Sequence, residues 1–396
     1  MVYYIFYDYT SNIHTFRIKI LSVLSLYMDP YLTTQIITYM GNKRKMIPAI
    51  QSILEDIQKK ENKEFLELGD GFSGSGIVSR LFKQYSSKLY TNDIADYSFY
   101  LNKCYLSNFS KQDEKRLKSY IEKANEHANT KTKYVEPFVS GKWAPLEKTI
   151  QPNERVFFTF ENGKRIDIYR NYIETLPQPY KSFLIGRLLV EVSIHNNTSG
   201  QFSAYYKGCN NVGKYGGKNE IDLHRIEAPI SLSMPVSHLN NKTEVVISQL
   251  DATQWAKSLP PLDVVYYDPP YNKHPYSIYY FLLNIVALWD KSIPVPDTNR
   301  GQPNGWHRSA YNSYVHAEKE FEELIKNTNA KYIIISYNNG GIIPLDHMDT
   351  ILRKHGNVEK IPIEHRTYNR LKGISEYKRK EEKAEIKEFF WLVTRK

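Results

Sequence analysis

The chain has 396 residues, 41% of them apolar, and a formal charge of +10 from 53 Lys and Arg against 43 Asp and Glu. That length supports a packed core and two domains, and the positive balance suits a polyanionic partner. The two cysteines form no Cys-x-x-Cys pair, which argues against a structural zinc and for a reducing compartment; no apolar run is long enough to span a membrane.

Residues 1–29 are expected to be an N-terminal extension. Their apolar stretch, Ile18 to Leu24, is too short and too interrupted by charge for a signal peptide. A chain starting at Met28 is therefore expected to remain active. Tyr39-Met40-Gly41-Asn42-Lys43-Arg44-Lys45 precedes an amphipathic helix, with Ile47, Ile50, Ile53, Leu54 and Ile57 on one face and Pro48 near its start. Phe65 to Leu68 reads as a strand running into the glycine-rich stretch Gly69 to Gly76. A helix is expected over Ile77–Tyr85, and a second strand over Lys88–Asp93. This is a βαβ unit.

The character changes near residue 111. Lys111–Asn129 is charged and helical in pattern. Residues 130–180 are rich in Pro, Lys and aromatics, with strands expected at Val156–Phe160 and Arg165–Tyr169. Phe183–Ile194 reads as a helix, and Tyr205–Asn219 as a loop rich in Gly, Asn and Lys. The α/β pattern returns at Glu244–Ser248. It continues through a strand at Asp263–Tyr267, helices near Tyr279–Leu288 and Ala317–Asn327, and a strand at Tyr332–Ser336. A Lys/Glu run at 376–388 reads as solvated and leads to a last strand, Glu388–Val393. One α/β domain, residues 30–110 and 245–396, is thus split by an insert, residues 111–244. Surface loops tolerate such insertions.

The most informative residues are Asp268-Pro269-Pro270-Tyr271, where the strand opens into a loop. An exocyclic amino nitrogen is a poor nucleophile, because its lone pair is delocalised into the base ring. Asp268 can accept one of its N–H groups, and the Pro269 carbonyl the other. Together they free the lone pair for methyl transfer. Proline fixes φ and supplies no competing donor, and Tyr271 offers a flat face to an extruded base. Taken alone, the same four residues also describe an ordinary proline turn. Phe72-Ser73-Gly74-Ser75-Gly76 lies between a strand and a helix, and Asp93 ends the next strand. That pattern suits a nucleotide whose ribose hydroxyls bond to a carboxylate. The third glycine of a dinucleotide fingerprint is missing, since Ser79 stands there. Asp251 follows the strand at 244–248 and can contact an adenine amino group, cap the next helix, or do both.

Together these motifs resemble the Dam-like, D12-class (alpha-group) N6-adenine DNA methyltransferases, with the glycine-rich motif first and Asp-Pro-Pro-Tyr last. The resemblance covers residues 36–110 and 244–396. It implies a Rossmann-like S-adenosylmethionine-dependent methyltransferase fold, α/β with a mixed sheet and an inserted target-recognition domain. It implies S-adenosyl-L-methionine as cofactor, held by Tyr39, Met40, Gly41, Lys43, Asp70, Phe72, Ser73, Gly74, Ser75, Gly76, Asp93 and Asp251. Asp268, Pro269, Pro270 and Tyr271 match the family's catalytic motif, and Ser336-Tyr337-Asn338-Asn339 resembles a loop lining the target-base pocket. Gly69-Asp70-Gly71 leaves open whether Glu67 or Asp70 ends the first strand.

Double-stranded DNA is the expected partner, along with a companion restriction endonuclease in a prokaryotic cytoplasm; no metal is expected. In the insert, Lys207, Asn210, Asn211, Lys214, Tyr215 and Lys218 mix phosphate-seeking cations with amides able to pair with adenine, although a plain surface loop has the same composition. Arg300–His307 reads as a polar loop or a backbone clamp. N4-cytosine methylation needs the same chemistry and is the nearest rival. C5-cytosine methylation needs a cysteine nucleophile in a Pro-Cys pair, which is absent. An RNA substrate and a non-catalytic DNA-binding regulator are further alternatives.

Overall fold

The computed structural model describes residues 29–130, 135–208, 210, 212–217, 220–236, 242–305, 309–366 and 387–395. Residues 1–28, Asn211 and Lys218 lie outside them. Seven strands form one sheet in the order β3-β2-β1-β4-β5-β7-β6. They are β1 (Leu66–Asp70), β2 (Ser86–Asn92), β3 (Glu244–Ser248), β4 (Leu262–Tyr267), β5 (Ala330–Asn338), β6 (Gly356–Arg366) and β7 (Lys387–Arg395). The first five are parallel. β7 runs antiparallel to both β5 and β6, which makes the sheet mixed. The chain moves outward from β1 to β2 and β3, then returns to the other side of β1 with β4. The order therefore reverses between β1 and β4, where open α/β sheets place their ligand crevice.

Ten helices matter below. They are α1 (Ile47–Glu61), α2 (Ile77–Tyr85), α3 (Asp96–Leu106), α4 (Lys111–Asn129), α5 (Phe160–Glu174), α6 (Tyr180–Ile194), α7 (Ala252–Ser258), α8 (Tyr276–Leu288), α9 (Ala317–Asn327) and α10 (Leu345–His355). All five expected apolar positions of α1 are buried. They pack with α2 on one sheet face, against Leu66, Leu68, Val264 and Ile334. The other face carries Val265, Ile333 and Ile335 under α7, α9 and α10. Every residue of β4 is buried. Covering on both faces explains why its sequence is a continuous apolar run rather than an alternation.

Among the described residues of 111–232 the buried apolar side chains join a core shared with the rest of the chain. Leu117, Ile121, Ile166, Tyr169 and Leu188 share one apolar cluster with Tyr97 and Leu101 of α3 and with Phe281 and Leu282 of α8. The strand expected at Arg165–Tyr169 is instead the middle of α5. Thr159 caps that helix through a hydrogen bond from Asn162 N, and Ile166, Tyr169 and Ile173 form its buried stripe. Apolar residues at 166 and 168 imitate a strand, but the longer helical spacing prevails. The strand expected at Val156–Phe160 is an irregular segment leading into α5. Ser336, Tyr337 and Asn338 complete β5, so only Asn339 of that tetrapeptide is in a turn.

Candidate active site

β1 ends at Asp70, which settles the question of its terminal acid. The turn that follows needs glycine for two physical reasons. Gly74 and Gly76 have φ of 53° and 75°, a region that side chains disfavour. A Cβ at Gly74 would lie 2.7 Å from the Tyr39 ring, and one at Gly76 would lie 2.7 Å from Asn102 Oδ1. Asp93 braces the turn, accepting from Gly74 N at 2.7 Å and from Ala95 N at 2.9 Å. Burial raises its carboxyl above the ordinary range, and these backbone N–H groups oppose the shift. Ser73 Oγ accepts from Asn102 Nδ2 at 2.6 Å, and Ser75 is buried.

Ser79, at the position of a dinucleotide fingerprint's third glycine, donates to Asp70 Oδ2 at 2.6 Å. The other oxygen, Oδ1, is buried with no hydrogen-bond partner. Burial pushes the Asp70 carboxyl up to about 7; Asp93 and Asp268 reinforce the shift, and Ser79 opposes it.

The segment from Tyr39 to Lys43 closes over this turn. The Tyr39 ring stacks on Tyr276 and Tyr280, with centroids 5.3 Å and 5.0 Å away. Its hydroxyl lies 3.3 Å from that of Tyr97. Met40 N donates to Tyr280 Oη at 2.8 Å, and Tyr276 Oη donates to Met40 O at 3.3 Å. Gly41 has φ of 71°, and a Cβ there would collide with the Tyr271 hydroxyl. Asn42 then caps the turn Lys43–Met46, accepting from Arg44 N at 2.8 Å.

Lys43 is 4% exposed, and its ammonium is shared between Asp268 Oδ1 at 3.2 Å and Glu388 Oε2 at 3.3 Å. Burial alone would lower the Lys43 pKa; the two carboxylates and Tyr271 raise it instead. Burial lifts Asp268 to about 7; Lys43 opposes this, and Glu388 adds to it. Glu388 is itself buried in β7, opposite Asn338 of β5. Of the Lys/Glu run at 376–388, residues 376–386 lie outside the described residues; Glu388 is not solvated, because it meets the buried Lys43 ammonium. Pro269 is buried, whereas Pro270 faces the crevice. The Tyr271 ring meets Tyr337 edge-on at 6.1 Å and has the Lys43 ammonium 5.8 Å from its centroid. Burial pushes its hydroxyl up to about 12.

One crevice joins these groups. Tyr39, Phe72, Asp93, Asp251, Asp268 and Pro270 all line it, with Asp93 and Asp251 following β2 and β3 on one side of β1 and Asp268 following β4 on the other. Met40, Gly41, Lys43, Asp70, Ser73, Gly74, Ser75, Gly76, Pro269 and Tyr271 are not among its lining residues. Asp251 caps α7, accepting from Thr253 N at 2.9 Å and Gln254 N at 3.2 Å, and it also faces the crevice. Sequence reasoning missed Tyr97, Tyr276, Asn284 and Tyr311 in the lining, and Glu388 behind Asp268. Among the described residues, no group of His, Cys, Asp and Glu side chains could hold a metal ion.

The sequence model of one family, the D12 class N6 adenine-specific DNA methyltransferases, matches residues 39–339. The chain belongs to this family. It is an N6 adenine-specific DNA methyltransferase. Among its relatives is the type II methyltransferase M.NlaIII of Neisseria lactamica, 28% identical over 338 residues, covering 83% of this chain and 92% of that protein. M.CviAII of Paramecium bursaria Chlorella virus 1 is 26% identical, covering 84% and 92%. M.FokI of Planomicrobium okeanokoites is 27% identical over 90% of this chain, which spans 52% of that longer protein. The D12 match takes in the tyrosine stack, the glycine turn, the insert and Asp268 to Tyr271. It stops before β7, and so before Glu388.

The insert of this D12 methyltransferase carries a short hairpin. Lys207 bridges to Gly213, Gly208 N donates to Val212 O at 2.8 Å, and Lys214 N donates to Tyr206 O at 3.0 Å. Asn197 holds its base, donating from Nδ2 to Val156 O and Lys214 O, each at 2.9 Å. Lys214 is ion-paired with Glu220 at 2.8 Å, the Lys207 ammonium lies 5.3 Å from the Tyr205 ring centroid, and Tyr215 packs against the core. Lys207, Asn210, Lys214 and Tyr215 do not line the crevice. No described helix is long and apolar enough to cross a membrane.

Proposed function

We propose that this chain transfers a methyl group from S-adenosyl-L-methionine to the N6 nitrogen of adenine at one short sequence in double-stranded DNA. The observation that carries this reading is the crevice itself. Asp93 and Asp251 stand on one side of β1 and Asp268 on the other, all at the C-terminal ends of parallel strands. The residues fit such a donor. Two carboxylates suit ribose hydroxyls and an adenine amine, and the stacked ring of Tyr39 gives a π face suited to a cation. When bound, the donor supplies a methyl group on a sulfonium centre.

The chain's own residues do the rest. Adenine leaves the duplex stack, at a cost of a few kcal/mol, and its amino group enters between Asp268 and the Pro269 carbonyl. Asp268 accepts one N–H and holds the proton that the nitrogen releases. Lys43 favours the ionised form of that carboxylate against its burial, and Glu388 holds Lys43 there. Positioning and electrostatics supply the rate, with no covalent enzyme intermediate. Residues 111–244 act as the recognition region, with the hairpin at Lys207–Lys214 toward DNA. The setting is the cytoplasm of a prokaryotic cell, where a companion restriction endonuclease reads the same site.

The test is methyl transfer from labelled S-adenosylmethionine to unmethylated plasmid DNA, with nucleoside analysis and mapping of the product. N6-methyladenine at one short motif is expected. N4-methylcytosine, or methylation spread over all sequences, would overturn the corresponding part of the proposal.

A further inference from the structure

A second concave surface opens beside the crevice. It is lined by Pro275, Ser277 and Ile278 at the start of α8 and by the loop from Pro296 to Gly305. Pro275 and Ser277 line the crevice as well, so the two surfaces share a wall. The loop has the chemistry of a base reader. Thr298, Asn299 and Asn304 are exposed and Gln302 is half-buried. Among the described residues, the Arg300 guanidinium makes no hydrogen bond or ion pair, whereas its backbone is fixed.

That fixing comes from elsewhere in the chain. Arg155 donates to Thr298 O and Pro296 O, each at 2.9 Å, and to Lys142 O at 3.2 Å. Its side chain is only 16% exposed. Trp143, fully buried, donates its indole N–H to Arg300 O at 3.1 Å. Gly301 has φ of 56°, and a Cβ there would lie 2.7 Å from Arg155 Nε. The loop backbone thus packs directly against the guanidinium. The next residues, Val156 and Phe157, carry the hairpin. Asn197 Nδ2 donates to Val156 O at 2.9 Å, Asn197 N donates to Phe157 O at 2.8 Å, and Tyr205 Oη donates to Glu154 O at 3.3 Å. One four-residue segment, 154–157, therefore anchors two polar loops that are about ninety residues apart in sequence.

We propose that the 296–305 loop is a second DNA-reading element, taking a base pair beside the flipped adenine through Arg300 and its neighbouring amides, and that Arg155 holds it in register with the hairpin. This rests on the proposed DNA substrate. A loop that reads bases gains from being pre-set, and a half-buried guanidinium tying two of its carbonyls to Lys142 O holds it in place. Arg with flanking Asn and Gln is the side-chain set that pairs with guanine and adenine edges in the major groove. Arg155 is a positioning residue in this scheme and touches no DNA.

The test compares wild type with Arg300→Ala, Arg155→Met and the double variant. Duplex binding is measured by anisotropy across salt concentrations, methyl transfer on a set of single-base-pair variants of the target site, and donor binding as a control. Arg300→Ala should lose roughly 5- to 150-fold of discrimination at one base pair, with donor binding unchanged. Arg155→Met should relax the same base pair, and the double variant should add little to Arg300→Ala alone, because the two act as one unit. A uniform loss of affinity with the salt dependence reduced by about 1 in log–log slope would make Arg300 a phosphate contact and overturn base reading. Unchanged discrimination and affinity in Arg300→Ala would overturn the loop as a DNA contact. Relaxation at different base pairs in the two single variants would overturn the role of Arg155. Duplex binding is also compared across the same single-base-pair variants, so a wild-type protein that binds duplex selectively but methylates nothing would sink the proposed reaction while the loop is still tested by its discrimination in binding.

Discussion

Replacing Lys43 by methionine removes the one cation that the described structure places on Asp268. The ammonium is 3.2 Å from Asp268 Oδ1. At an effective dielectric constant of about 20, one ion pair at that separation is worth about 5 kcal/mol, in line with the cost of stripping one partner from a buried pair. Asp268 already titrates at about 7, because burial dominates and Glu388 adds its negative field. Asp70 and the phenols of Tyr266, Tyr271, Tyr276 and Tyr337 also face it. Transfer in the wild type should therefore rise with pH through about 7, as the carboxylate ionises. Lys43→Met should move that limb upward by at least about one pH unit, since about 1.4 kcal/mol suffices for each. Glu388→Gln should move it downward, because a like charge is removed while the ammonium stays. The assay is single-turnover methyl transfer on a target duplex between pH 5.5 and 9.5. A limb unmoved in both variants, or moved the same way in both, would refute the reasoning. Stability has the opposite sign from rate. A carboxyl whose folded pKa is raised binds its proton more tightly when folded, so Asp268 makes the fold less stable as pH rises from the unfolded value of 3.8 toward about 7.

Asp268→Ala should abolish transfer while donor binding, followed by calorimetry, persists; near-normal turnover would remove Asp268 from the chemistry. Gly74→Ala places a methyl 2.7 Å from Tyr39 at a φ of 53° and should weaken donor binding at least about tenfold, with a thermal shift reporting any strain of about 1 kcal/mol. Asp93→Ala leaves Gly74 N without its acceptor, a loss of about 1–3 kcal/mol, and should raise the donor dissociation constant with little change in DNA affinity. A chain beginning at Met28 should keep full turnover on the same duplex.

The parts of the site that could be read from the sequence are those in which one short segment performs one local task. Gly74, Gly76 and Asp93 occupy a strand–turn–helix–strand unit whose geometry follows from glycine sterics and strand length. Asp268 to Tyr271 end a fully buried strand, and that run announces itself. The crevice between β1 and β4 follows from parallel strands and a reversal of order. What escaped reading depends on distant partners. Glu388 lies 345 positions from Lys43, and its own neighbourhood of Lys and Glu looks solvated. Tyr276 and Tyr280 look like helix filler until Tyr39 stacks on them. Ser79 looks like a departure from a fingerprint until its hydroxyl is found on Asp70. At Arg165–Tyr169 a local alternation misled, because α5 is set by a stripe longer than that window.

The place of β7 in the sheet has a consequence for synthesis. It lies between β5 and β6, both of which leave the ribosome earlier, and it delivers Glu388 to Lys43. Until residues 387–395 emerge, β5 has an unpaired edge, open to wrong partners, and Lys43 has only half of its counter-charge. A chain halted before β7 thus holds every motif from Tyr39 to Tyr271 while β6 has no bridge to the rest of the sheet.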